Sequence, residues 1–261
     1  MRLLGHTLLA GTAAALSFAL TPACVDNDQS IYIRQVQIGA VQGTSGICTY
    51  SPDPAAVGWL EGVVDTALTD NYSAVLLVGS QLITRGDTTN VRSESNKAHL
   101  NGAIVRVSDA NGNDISEFTA QSEGFVDAAN NTNASFGLMK ITLLDAPTLQ
   151  KIGNGLPAGQ TKLVLANIKA FGETLGGVDL ESGEFQYPIR ICNGCLISFL
   201  NADDPLTQGT DCNLSSSTAG GGTGGGSVST TQQPCNLGQD EIVPCTLCKD
   251  TNPRCRTLST P

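Results

Sequence analysis

Ala103-Ile104-Val105-Arg106-Val107 runs through Ser108 into Asp109-Ala110-Asn111-Gly112-Asn113-Asp114 and out again as Ile115-Ser116-Glu117-Phe118-Thr119, and this stretch decides the fold class. Two runs that alternate apolar and polar residues, the period of a half-buried strand, flank an Asn-Gly pair. Both residues tolerate the positive φ that a tight turn demands, so the stretch predicts an antiparallel hairpin. The carboxylates and amides of the turn also suggest calcium. An EF-hand loop, however, wants Gly at its sixth position and Glu at its twelfth, whereas Gly112 is fourth from Asp109, so the segment reads as a plain turn.

Similar runs lie on either side. The second half of Ile31-Tyr32-Ile33-Arg34-Gln35-Val36-Gln37-Ile38 alternates. Tyr72 to Leu82 holds the continuous apolar run Ala74 to Val78, of a length suited to a strand buried on both faces and ended by Gly79. Phe136 to Leu144, Lys162 to Phe171 and Phe185 to Cys192 are further strands, separated by turn formers such as Gly153-Asn154-Gly155-Leu156-Pro157. Pro52 to Asn71 admits two readings. One is a helix begun at Pro54 and running through Trp59, Leu60, Val63 and Val64, weakened by Gly58 and Gly62; the other is a short edge strand at Val63 to Leu68. Trp59, the only tryptophan, reads as a core or edge anchor. Aromatic residues make up 5% and charged residues 15%, with Gly, Ser, Thr, Asn and Val abundant, a balance that favours short strands and turns over long helices. The expectation is an all-β chain whose residues 31–191 form one antiparallel sandwich of about seven to nine strands.

The first residues read as an address. Arg2 supplies a positive start, Leu3 to Leu20 form an apolar stretch broken by Gly5, His6, Gly11 and Ser17, and Thr21-Pro22-Ala23-Cys24 closes it. Residues 1–23 are therefore expected to be a signal peptide, and no other segment approaches the apolar length of a membrane-spanning helix. A small residue before a cysteine resembles the bacterial lipobox, in which the cysteine is acylated and becomes the first residue. The match departs from the usual pattern, with Leu displaced to Leu20 and Thr21 in its place. Cysteine arithmetic supports it. The nine cysteines stand at 24, 48, 192, 195, 212, 235, 245, 248 and 255, and an exported protein seldom carries an odd thiol. Acylation of Cys24 leaves Cys48, Cys192, Cys195, Cys212, Cys235, Cys245, Cys248 and Cys255 as disulfide candidates. Three hydrocarbon tails on Cys24 exceed what stable anchoring requires, and residues 24–30 become a tether. Val25 stands where enterobacterial lipoproteins retained in the inner membrane carry Asp, which points to the outer membrane; a secreted or periplasmic chain is the alternative.

After Cys192 the composition changes. Seven cysteines fall between 192 and 255, and the Ser/Thr/Gly tract at 214–233 cannot bury enough apolar surface to order itself. Residues 192–261 are expected to be a Cys-rich tail stapled by disulfides around a flexible loop, with cross-links supplying most of what fixes Pro234 to Pro261. If all eight remaining cysteines pair, Cys48 must join the start of the sandwich to this tail.

Two resemblances add to this reading. Gly102 to Thr119, with its V-x-D-A-N-G-N turn, resembles bacterial immunoglobulin-like and transthyretin-like surface modules, which implies an immunoglobulin-like sandwich and roles in adhesion, spacing and display. The whole layout, with the strand I-Y-I-R-Q-V after an acidic stretch and a tail containing G-Q-D-E-I-V-P-C-T-L-C, resembles uncharacterised surface lipoproteins of the myxobacterial type. That resemblance implies an address and no mechanism.

Candidate chemistry is sparse. All 24 acidic and 13 of the 14 basic residues follow position 23, leaving a net charge of about −11 and making nucleic acid a poor partner. The mature chain has one histidine, His99, and no G-x-S-x-G elbow, so a Ser-His-Asp triad is not indicated. The glycine tract lacks the G-K-[ST] ending of a P-loop. Cys192-Asn193-Gly194-Cys195 and Cys245-Thr246-Leu247-Cys248 have the spacing of zinc ligands or of a redox couple, but export favours disulfides. The expectation is a non-enzymatic envelope lipoprotein with no cofactor and no bound metal, partnered by the membrane through its anchor and by other envelope proteins. A thiol-disulfide oxidoreductase or zinc-binding module using the C-x-x-C pairs is the alternative.

Overall fold

The computed structural model describes residues 30–42, 47–85, 94–130, 133–198, 234–248, 250 and 255. Cys24, Cys212, the signal segment and the 214–233 tract lie outside the described residues. In chain order the elements are β1 (Ile31–Gln37), β2 (Ala40–Gln42), β3 (Ile47–Thr49), β4 (Gly58–Trp59), β5 (Gly62–Asp65), β6 (Tyr72–Ser80), β7 (Ala98–Asp109), β8 (Asp114–Val126) and β9 (Ser135–Leu144). Then follow α1 (Ala146–Gly153), β10 (Thr161–Thr174), β11 (Asp179–Glu181), β12 (Phe185–Cys192), β13 (Ile197–Ser198) and β14 (Val243–Pro244), with a 3-10 turn at Cys245–Leu247.

The chain is all-β in character, as its alternation predicts. β4-β1-β6-β9 form one sheet, and β5-β12-β10-β7-β8 form a second in which β11 also pairs with β10. Every pairing in these two sheets is antiparallel except β5 with β12. Period-two burial joins them into one core: Ile31, Ile33, Leu76, Val78, Met139 and Ile141 from the first sheet meet Val105, Val164, Ile168, Ile189 and Ile191 from the second. β6 is the strand expected to be buried on both faces, and all but one of its residues are buried. It does not stop at Gly79 but runs on through Ser80.

The hairpin forms as β7 and β8, and it is longer than the quoted alternation. Its turn differs from the expected one. Gly112 takes φ 84°, but Asn111 does not enter the positive region. Asp109 closes the turn instead, its carboxylate accepting from the Asn111 amide at 2.8 Å, the Asn113 amide at 2.9 Å and Asn113 Nδ2 at 2.9 Å. Those bonds from Asn113 hold the Asp109 carboxyl below its ordinary range.

Pro52 to Asn71 contains no helix. Residues 54–56 turn, β4 and β5 follow, and residues 66–68 turn again. The glycines that weaken the helix are what the strands need: a Cβ on Gly58 would meet the Val36 carbonyl oxygen at 2.6 Å, and one on Gly62 would meet the Tyr72 hydroxyl at 2.4 Å. Trp59 packs on the core from the edge strand β4. The helix is elsewhere, at α1, where Asp145 accepts from the Thr148 amide at 3.0 Å, a proline occupies the first turn, and Leu149 and Ile152 face inward. Among the described residues no helix is long and apolar enough to cross a membrane.

The far half of β8, while still paired with β7, lies against β9. Ser122 Oγ donates to the Lys140 carbonyl, and a Cβ on Gly137 would fall 2.1 Å from the Phe125 carbonyl oxygen. Gly137→Ala should therefore cost about 1–3 kcal/mol in urea unfolding, by forcing the two strands apart. Gly112→Ala, whose Cβ meets nothing within 4 Å, should cost only about 1 kcal/mol, for its φ.

Candidate functional site

β5 is only four residues long, yet it holds the tail on one edge and the C-x-x-C loop at its end. Along the edge, the Asp65 amide donates to the Gly238 carbonyl at 2.9 Å and the Asp240 amide to the Val63 carbonyl at 2.9 Å. Val64 and Gln239 form an antiparallel bridge between them. The tail thus continues the second sheet by one short strand-like step. Its outermost hold is the Gln239 side chain, which accepts from the Ser73 amide at 3.1 Å and donates to the Asn71 carbonyl at 3.0 Å. Beyond this, β14 pairs in parallel with β13, and Ile197, Val243, Cys245, Cys248 and Cys255 form a second small core against Ala67 and Leu68. Backbone pairing as well as cross-links fixes this segment, which its sequence pattern did not indicate.

Asp240 is the one described residue other than glycine with positive φ, 60°. That conformation lets its carboxylate accept the Val63 amide at 2.8 Å while its own amide donates to the Val63 carbonyl. Tyr72 Oη donates to the same carboxylate, 3.1 Å from Oδ1 and 3.0 Å from Oδ2, and lies 3.3 Å from Tyr187 Oη. Gly62 leaves the room this hydroxyl needs. Burial pushes the Asp240 carboxyl up to about 6, with Glu241 adding repulsion and the Val63 and Tyr72 hydrogen bonds opposing the rise. Burial, then the nearby Asp240 charge, also pushes the Tyr72 phenol well above its ordinary value, and burial does the same for Tyr187.

Asp65 has no exposed surface. Its Oδ1 accepts from the amides of Ala67 at 2.9 Å and Gly194 at 2.7 Å, and its Oδ2 from the amide of Leu196 at 2.9 Å. Two of those donors belong to the C-x-x-C loop. Thr66 holds the start of that loop from its amide and its hydroxyl, both 2.9 Å from the Cys192 carbonyl. One Asp65 oxygen and the sulfurs of Cys192 and Cys195 lie within 4.8 Å of one another. An open cleft of about 470 Å³, lined by residues including Thr66, Asp70, Leu149 and Asn193, adjoins this loop.

All seven described cysteines are oxidised. Cys192 bonds to Cys195, Cys48 to Cys235 and Cys248 to Cys255, while Cys245 bonds to a partner outside the described residues. The two C-x-x-C motifs are therefore not gathered into one set of four thiolate ligands. Cys48 reaches the tail as cysteine arithmetic requires, and its bond closes a loop of 187 residues, worth about 5 kcal/mol in chain entropy, against about 2 kcal/mol for the 3-residue separation of Cys192 and Cys195. His99 stacks on Phe125 with ring centroids 4.6 Å apart and places Nε2 3.7 Å from Glu123, away from both clusters. Asp65, Tyr72, Tyr187 and Asp240 carry no spacing signal, because they meet only through long-range pairing. Comparison with family models, curated proteins and solved structures found no match.

Removing the buried Asp65 carboxyl leaves three amides without their acceptor, that of Leu196 buried and those of Ala67 and Gly194 half-buried, so Asp65→Ala should cost about 3–5 kcal/mol in chemical denaturation, and Asp65→Asn less, since the amide oxygen still accepts. Asp240 behaves differently. Its folded value of about 6 lies above the ordinary 3.8, so its stabilising contribution is complete below about 3.8 and is lost as pH rises through about 6. Hydrogen-exchange protection factors at residues 235–243, corrected for the intrinsic pH dependence of exchange, should be higher at pH 5 than at pH 8, by an amount equivalent to about 1–2 kcal/mol. Asp240→Asn should flatten that dependence.

Proposed function

We propose that this chain is a non-enzymatic bacterial envelope lipoprotein, anchored through lipid on Cys24 and displaying its β body in a structural, adhesive or envelope-assembly role. One observation carries the reading: every described cysteine is in a disulfide, as suits a chain built for an oxidising compartment. Because Cys245 takes one of the two remaining cysteines, the anchor assigns it Cys212 and leaves Cys24 for the lipid. β1 begins seven residues after Cys24, so the body would sit close to the membrane surface, with the outer membrane as the expected address and a secreted or periplasmic chain as the alternative. The net negative charge argues for protein partners over nucleic acid.

The body itself we read as immunoglobulin-like. The orders β1-β6-β9 and β12-β10-β7-β8 correspond to the A-B-E and G-F-C-C′ strands of such a sandwich, and β5 leaves the first sheet's course to pair in parallel with the last strand. The chain departs from antibody domains in that its tryptophan lies on β4, and none of its described disulfides joins the B-like to the F-like strand. Display modules of this kind present loops and edges, and no chemistry is required of them.

Cys24→Ala, or globomycin treatment of cells, should move the protein from the membrane fraction to the soluble one; an unchanged distribution would overturn the anchor. Disulfide mapping of the native protein should yield a Cys212–Cys245 peptide, and a Cys24–Cys245 peptide would be equally fatal to it.

A further inference from the structure

We infer that Cys192–Cys195 is a thiol-disulfide exchange site that reacts stoichiometrically, without turnover, and is entered at Cys195 by a thiolate from a dithiol protein or small thiol. This inference rests on no feature of the anchor. Of the three described disulfides, only this one has an exposed cysteine: Cys195 faces solvent, whereas Cys48 and Cys235 are half-buried and Cys248 and Cys255 are buried. The exposure is one-sided, because Cys192 is wholly buried at the end of β12. An incoming thiolate therefore reaches Cys195 Sγ, which accepts the new S–S bond while Cys192 leaves. Transfer of two electrons from a dithiol then proceeds in two exchanges. The first makes a mixed disulfide on Cys195 and frees the Cys192 sulfur, which takes a proton. The second thiol of the donor displaces Cys195, which is protonated in turn, and departs as the oxidised donor.

The scaffold does not need the bond to keep the pair together. Gly194 and Leu196 are tied to Asp65, and the Cys192 carbonyl to Thr66, by hydrogen bonds in which the sulfurs take no part. The short ring also gains the least from loop closure.

The full chain is titrated with dithiothreitol, alkylated and mapped. Cys192 and Cys195 should become labelled at about tenfold lower reductant than Cys48, Cys235, Cys248 and Cys255, with the fold retained by circular dichroism. With glutathione in place of dithiothreitol, the adduct should sit on Cys195 and the free thiol at Cys192. Simultaneous reduction of all pairs, or glutathione on Cys192, would overturn the site.

Discussion

A carboxyl group in a protein interior must find donors for its oxygens or remain at the surface, and Asp65 finds three amides within reach. The amides come from two places, the turn that follows β5 and the loop that follows β12, so one side chain fixes where two segments distant in sequence meet. Its own amide adds a third segment by donating to Gly238. The parallel pairing of β5 with β12, the path of the C-x-x-C loop and the seat of the tail all converge on this residue. Each pairing alone is short, but together they leave the group no unpaired oxygen, which is what makes the arrangement single-valued.

The edges of the two sheets show the same economy. Left alone, β5 would present unpaired amides and carbonyls to solvent, an open template for another chain. Gly238, Gln239 and Asp240 cover that row, and the positive φ of Asp240 turns the tail away after one step so that the ladder cannot propagate. The first sheet ends in β4, two residues long and carrying Trp59, while β9 is shielded by the far half of β8. Covering edges and closing rings act on different states. Hydrogen bonds to β5 stabilise the folded chain, whereas the Cys48–Cys235 bond removes freedom from the unfolded one, so their effects accumulate.

Legibility followed range. The hairpin, β1, β6, β9, β10 and β12 were readable because alternation, an unbroken apolar run and the turn formers that bound a strand are all local properties. The Asn-Gly pair located the turn but not its geometry, which Asp109 sets through its own hydrogen bonds. Gly58 and Gly62 argued correctly against a helix; that they admit Val36 and Tyr72 is a tertiary fact no window of sequence contains. The α1 segment did carry its signals, an N-cap Asp145 with proline in the first turn, but eight residues give too little periodicity to outweigh the surrounding strands. Asp65 and Asp240 were invisible, since apart from Ala67 their partners lie more than a hundred residues away, and one sequence offers no means of ranking one aspartate above another.

The Cys48–Cys235 bond also changes how the molecule would bear tension. A pull applied between the segment entering β1 and the end of the tail does not travel through the strands in between, because the chain is short-circuited at residue 48 and re-enters at residue 235. Most of both sheets, from β4 through β13, lies inside the covalent ring and is not on the load path. β1, β2 and the start of β3, together with the short tail, are exposed to the force, and β1 is held in shear along β6 by an extended antiparallel register. A body wired in this way transmits force from one end to the other while its interior stays slack.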